Sequence, residues 1–350
     1  MKGDGGMFNK NLKYYRLKKN MSKKDLAEAC GVTPMAITHY EQGARKPEIE
    51  IINKMAKTLD VNVADFIRSR NDNLAFVHGE FRKNSSLSKS QQEYVKEAVE
   101  EYFGRFFDAV DYLGGEPLPS PPDIKCLASS GNFEDDAVDL RKHLGIPKFG
   151  PIEDLVIMLE NQGILVIMLD INNRHFSGMN GTVNGYPYIV VNKNMTTERK
   201  RSTIAHELTH MMFESDNELD EEKFATEVSG AFLITKADVI REIGIHRRAI
   251  TKDFILVCKE YGISMYLLVM RTTQVKVVSA TVAQSFYIRA GKAGWRTDEP
   301  SWIEKEEKPL LFEQLVFRAI NEEGISIQRG VELLKIPYVD VEKGCGLVEV

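Results

Sequence analysis

The chain has 350 residues, 43% of them hydrophobic and 28% charged, which is the makeup of a folded protein with room for two or three domains and excludes a disordered or low-complexity polymer. Its formal charge of −5 conceals an asymmetry, because residues 1–70 hold 14 Lys and Arg against 8 Asp and Glu and leave −11 for the rest. One end therefore suits a polyanion.

No apolar signal segment opens the sequence, and its longest apolar run, near residues 164–169, is far shorter than a membrane span, so a cytoplasmic location is expected. Cys30, Cys126, Cys258 and Cys345 are scattered, with neither CxxC spacing nor a disulfide framework, and read as reduced thiols.

Residues 8–68 read as a run of short helices punctuated by Gly31, Gly43 and Pro47. Ser22 is placed to cap the second helix and Thr33 the third. Between those helices Ala27, Cys30, Gly31, Val32 and Ile37 make the tight apolar corner of a helix-turn-helix, which leaves the third helix free to enter a major groove. Leu26-Ala27, Gly31-Val32, Ile37, Glu41-Gln42-Gly43 and Leu59 resemble the Xre/lambda-repressor-like helix-turn-helix family over about sixty residues. The resemblance implies double-stranded DNA as partner. It turns Pro34, Met35, Thr38 and His39 towards base edges, with Thr33 at the start of the same helix, and gives Lys23, Arg45 and Lys46 to the phosphates. Pro34 and Met35 depart from the family, since neither makes a bidentate amide contact to adenine.

Residues 71–90 turn polar and read as a connection. A long helix is expected over residues 91–113, where Tyr94, Val95, Val99, Tyr102, Phe103, Phe106 and Val110 recur at helical spacing, a stripe suited to a core or to a homodimer interface. The Pro-rich residues 114–123 break the helix. Helices are expected over 137–144 and 152–162, then strands over 164–171 and 186–192, joined by a Gly- and Asn-rich turn over 176–185.

The next stretch carries the chemistry. His206 and His210 stand four apart, so on a helix both imidazoles reach one metal ion while Glu207 stands beside the ion's open position. An HExxH sequence arises by chance on the order of once in a hundred chains of this length, so its surroundings matter. Ser202 or Thr203 is placed to cap the helix, Ile204, Leu208, Met211 and Met212 give it an apolar face, and Ser215-Asp216-Asn217 is polar enough to end it. A second helix begins near Asp220. Of its acids Glu222 is preferred as third ligand, because Ala225 and Ser229 on its face are small enough for close packing; Asp220, Glu221 and Glu227 stay open.

The stretch from Arg141 through Phe176-Ser177-Gly178, residues 188–192 and HELTH to residues 221–235 is similar to the ImmA/IrrE metallopeptidases, nearly end to end. That resemblance implies a zinc metallo-endopeptidase of gluzincin type, with His206, His210 and Glu222 on Zn²⁺ and Glu207 as catalytic base. Thr226 stands where relatives carry Asn or Asp, Thr209 where Gly is common, and Thr235 where Pro is frequent. Arg199, Arg201 and His175 lie nearby and read as structural or surface residues.

After residue 235 more helices are expected, at 252–262 and 264–270, then a polar mixed segment containing GWR and a final helix over about 310–322. Residues 325–342 read either as a second small helix-turn-helix or as a packing appendage.

The expected fold class is α+β, with a helix-turn-helix domain at 8–68, linker and long helix at 69–122, a peptidase domain with a small sheet at 123–270 and a mostly helical region at 271–350. The expected function is a DNA-binding regulator that hydrolyses a peptide bond in a protein substrate, a transcriptional repressor of a prophage, mobile element or stress response. The competing expectation is a regulator or toxin-antitoxin component whose zinc domain senses or binds a partner without cleaving it.

Overall fold

The structure is a computed structural model and describes residues 5–346 except 69, 70, 72, 80–86, 115, 116, 174, 215–219, 297 and 305. The expected turn at Ser215-Asp216-Asn217 and part of the 71–90 connection lie outside the described residues. The architecture is α+β, in two compact units. One is Met1–Ala75 with Phe81–Pro117 and Leu311–Val350; the other is Phe76–Glu80 with Leu118–Leu310. Residues 271–350, read above as one region, thus divide at Leu311.

The first unit opens with α1 (Gly5–Lys18), α2 (Lys23–Cys30), α3 (Pro34–Glu41), α4 (Ile49–Leu59) and α5 (Val63–Ile67). Ser22 and Asp25 form a reciprocal capping box at the start of α2, and Gly31 ends that helix at φ 72°, a left-handed conformation that L side chains resist. Thr33 caps α3 and Pro34 occupies its first turn. These two local signals set the corner between the helices, and Leu12, Leu26, Ala27, Cys30, Ile37, Tyr40, Met55, Leu59 and Phe66 close the core beneath it.

After β1 (Phe76–His78), which belongs to the second unit, comes α6 (Lys89–Tyr112). Its stripe is core: Val95, Val99, Phe103, Phe106 and Val110 are at most 3% exposed, and α6 packs on α1 and on two helices from the end of the chain. A homodimer built on those side chains is therefore not available to this fold.

Glu101 of α6 is buried among charges. Arg105 Nε donates to it at 2.9 Å and Lys335 Nζ at 2.7 Å. Burial pushes its carboxyl up, but Arg105 and Lys335 outweigh that and hold it at about 2; burial pushes Lys335 itself down to about 8. A carboxyl whose folded pKa lies below its unfolded value, about 4.3, stabilises the fold above that pH and loses the contribution, on the order of 3 kcal/mol, as pH falls towards 2. Melting temperature should therefore fall more steeply between pH 4.5 and pH 2 in the wild type than in Glu101→Gln, which starts lower; parallel falls would refute this.

The second unit continues with α7 (Phe133–His143), α8 (Leu155–Asn161), β2 (Leu165–Leu169), β3 (Gly178–Val183), β4 (Tyr186–Asn192), α9 (Thr197–Met212), α10 (Glu221–Leu233), α11 (Lys236–Ile243), α12 (Phe254–Tyr261), α13 (Met265–Gln274) and α14 (Ala280–Lys292). Strand order is β1-β3-β4-β2, with β2 parallel to β4 and the other two pairs antiparallel.

Two sequence expectations need correction. Residues 176–185 are not a turn throughout, because 178–183 form β3 and only Asn184-Gly185, both at positive φ, turn the hairpin. The glycines that read as turn residues are there for close approach: a Cβ on Gly178 would lie 2.6 Å from Thr203 Cγ2 and 2.7 Å from Val190 O. The polar segment after residue 270 contains a capped helix, α14, whose Ala283, Phe286 and Ala290 are buried.

The first unit closes with α15 (Leu311–Asn321), α16 (Ile327–Leu334) and α17 (Tyr338–Cys345). These pack on one another, and α15 and α16 pack on α6. Residues 325–342 are thus a packing appendage, with Gly330 of α16 against Ile320, Val341 and Val316. Among the described residues no helix is long and apolar enough to cross a membrane.

Candidate functional site

α9 begins a turn and a half earlier than Ser202, at Thr197, because Thr196 caps it and Glu198, Arg199, Lys200 and Arg201 are good helix formers. Ile204, Leu208, Met211 and Met212 face the core of the unit. This fixes the rotation of the helix, so His206 and His210 turn together to the other side. Their Nε2 atoms are 3.1 Å apart.

α10 packs against α9. Ala225 is fully buried and Ser229 nearly so, and they bring Glu222 over the histidines. Glu222 Oε2 is 3.4 Å from His206 Nε2, and Oε1 is 3.7 Å from His210 Nε2. Ligands arranged tetrahedrally at about 2.0–2.1 Å from an ion lie roughly 3.3 Å from one another. The three separations of 3.1, 3.4 and 3.7 Å are therefore those of three corners of such a site, and two imidazoles with one carboxylate are a donor set that holds a borderline-soft dication. Among the described residues no other three His, Cys, Asp or Glu side chains converge in this way.

The other acids face elsewhere. Asp220 caps α10, Glu221 is exposed, and Glu227 accepts from Gln274 Nε2. Thr226 Oγ1 donates back to the Glu222 carbonyl at 2.8 Å, so it steadies the backbone beneath Glu222.

Glu207 is 5% exposed, and Asn180 Nδ2 donates to its Oε2 at 2.9 Å. Asn180 lies on β3 and was read above only as part of a turn; alternation along residues 178–183 was the available signal. The side chains of His210 and Glu222 are 23% and 49% exposed, so the site opens to solvent on that flank.

Behind α9, residues 298–304 and 306–310 run without regular structure and fasten the helix by its charged groups. Trp302 N and Ser301 Oγ donate to Glu198, Lys200 Nζ donates to Glu306 at 2.7 Å, and Arg201 Nη1 donates to Glu307. Arg201 Nη2 also donates to the carbonyls of Ile152 and Tyr261. Arg201 and Glu307 are both buried. Burial, with the charge of Asp154 nearby, leaves the Glu307 carboxyl raised despite Arg201. Arg199 and His175 are exposed.

In the first unit Met35 is 62% exposed at the start of α3, and Pro34, His39, Arg45 and Lys46 are exposed with it. Thr33 Oγ1 accepts from Ala36 N and Thr38 Oγ1 donates to Pro34 O, so both hydroxyls are engaged with their own helix. Lys23 Nζ lies 3.5 Å from Glu41 Oε2.

Comparison with known proteins matches one stretch in each unit. Residues 12–66 match a family described as Helix-turn-helix, and residues 159–273 match one described as IrrE N-terminal-like domain, Peptidase M78. An uncharacterized HTH-type transcriptional regulator of Methanocaldococcus jannaschii is 36% identical over 61 residues, 17% of this chain and 92% of that protein. The uncharacterized HTH-type transcriptional regulator YqaE of Bacillus subtilis is 30% identical over 70 residues, 20% of this chain and 60% of its own length. The cryptic phage CTXphi transcriptional repressor RstR of Vibrio cholerae is 24% identical over 88 residues, 25% of this chain and 79% of its own.

Proposed function

We propose, for a chain that belongs to the Helix-turn-helix family over residues 12–66 and to the IrrE N-terminal-like family over residues 159–273, that it is a DNA-binding regulator whose second unit is a zinc-dependent endopeptidase. Residues 8–68 would read the DNA and residues 123–270 would carry the hydrolysis. The substrate is a protein, a transcriptional repressor of a prophage, mobile element or stress response. The observation that carries this reading is the triangle of His206, His210 and Glu222 with Glu207 beside it.

Bound at that triangle, zinc would supply Lewis acidity towards a peptide carbonyl and bring the pKa of a water to about 7. Glu207 takes the proton of the attacking water on its carboxylate and delivers it to the leaving amine nitrogen, base first and acid second. Asn180, donating to Glu207 Oε2, orients that carboxylate and keeps it on the β3 side of the site. Arg201 positions α9 through its buried bonds and takes no part in the proton transfer. In the first unit, exposed Met35 and His39 would meet base edges and Arg45 and Lys46 the phosphates, with Lys23 released from Glu41 to join them. A homodimer would form on a surface other than the α6 stripe, which is core.

Metal analysis tests the centre. Wild type should carry about one equivalent of zinc, and His210→Ala and Glu222→Ala little, with a lower melting temperature after chelation in wild type alone. Wild type that takes up no zinc refutes the reading.

A further inference from the structure

β1 stands apart from its unit in the chain: it enters the sheet over residues 76–78, and the chain on both sides of it belongs to the unit that carries the helix-turn-helix. It lies antiparallel on β3, with Phe76 opposite Val183, Val77 opposite Thr182 and His78 opposite Gly181. Beyond the strand, Gly79 N donates to Asn180 O at 2.8 Å. Asn180 is also the residue whose side chain donates to Glu207 at 2.9 Å. The segment therefore ends one residue away from the carboxylate of the proposed peptidase.

An extended peptide binds a sheet by adding to an edge through backbone hydrogen bonds. Without β1, the edge beside Glu207 would be β3, and β1 covers that edge in antiparallel sense. The fit is specific to these residues. A Cβ on Gly79 would lie 2.5 Å from Asn180 O, and one on Gly181 2.6 Å from Val77 O, so two glycines allow the strands their close approach. His78 Nδ1 is 2.7 Å from the Tyr188 hydroxyl, and the rings of Phe76 and His78 stack at 5.3 Å. Val77 is 69% exposed.

The geometry points to β1 as a built-in competitor for the peptide-binding edge of β3, a strand of the chain itself that must leave before a protein substrate can pair there. This rests on the peptidase reading. An occupant tethered at both ends competes at an effective concentration of about millimolar, far above that of a protein substrate in dilute solution. Three paired residues make a strand short enough to be exchanged.

The test uses the full chain carrying Glu207→Gln and, as probe, a fluorescein-labelled peptide of residues 74–80, followed by fluorescence anisotropy. Val77→Pro removes a backbone donor from the β1 ladder at an exposed side chain, and Gly79→Ala drives a methyl group into the Asn180 carbonyl. Each is compared with the parent after thermal melting has shown the fold retained; either one suffices. The probe should bind each variant about tenfold or more tightly than the parent, with faster hydrogen exchange at Thr182. Equal affinity in parent and variants, including no binding in any of them, overturns the inference. Binding is read without turnover, so failure of zinc uptake or cleavage would remove the peptidase reading while this measurement stood, and equal affinities would remove the competitor while cleavage stood.

Discussion

Glu207→Gln should lower the rate of substrate hydrolysis by about 10²–10⁴-fold, the range a positioned general base supplies, with zinc content and operator binding unchanged. The amide keeps the shape of the side chain and can still meet Asn180, but it cannot take a proton from water. Glu207 is not among the three converging ligand atoms, so the metal should stay. Rates on a candidate repressor, beside metal analysis and a DNA-binding titration of the same preparations, make the check. The experiment also separates the two functional expectations. If the second unit only senses or binds a partner, Glu207→Gln should leave its regulatory effect intact, and an undiminished effect in cells would favour that reading.

Replacing Glu307 by Leu should destabilise the second unit by roughly 3–5 kcal/mol, because it leaves the Arg201 guanidinium buried without its counter-charge. Burial and Asp154 leave the carboxyl raised despite Arg201, and taking both charges of a buried pair out of water is costly. Removing both charges should therefore be milder than removing one. Denaturant unfolding of Glu307→Leu beside Arg201→Met/Glu307→Leu would check this, with recovery of most of the loss in the double variant. A double variant as unstable as the single would show that the pair stabilises the fold outright. Arg201 lies five residues before His206 on α9, so the single variant should also loosen zinc.

The helix-turn-helix was legible because its signals are local: a capping residue, a left-handed glycine and an apolar corner act within a few residues of one another. The pairing of His206 with His210 was legible for the same reason, since a period of 3.6 residues dictates it wherever the helix lies. The N-terminus of α9 was not legible, because Ser202 and Thr203 are also capping residue types and it is Thr196 that caps.

By itself the sequence determined the α+β class, the helix-turn-helix corner, the metal-type spacing on α9 and the existence of a second helix bearing acids. Tertiary structure decided which acid turns to the histidines, that Asn180 reaches Glu207, that residues 76–79 from a polar connection take the edge of β3, and that Glu307, 106 residues away, neutralises Arg201. It also decided that the aromatic stripe of α6 is core, because the helices that cover it lie at opposite ends of the chain. The division has one physical reason: caps and periods act along a few turns of backbone, whereas ligand convergence, buried charge pairs and strand edges depend on packing between segments whose separation no local rule encodes.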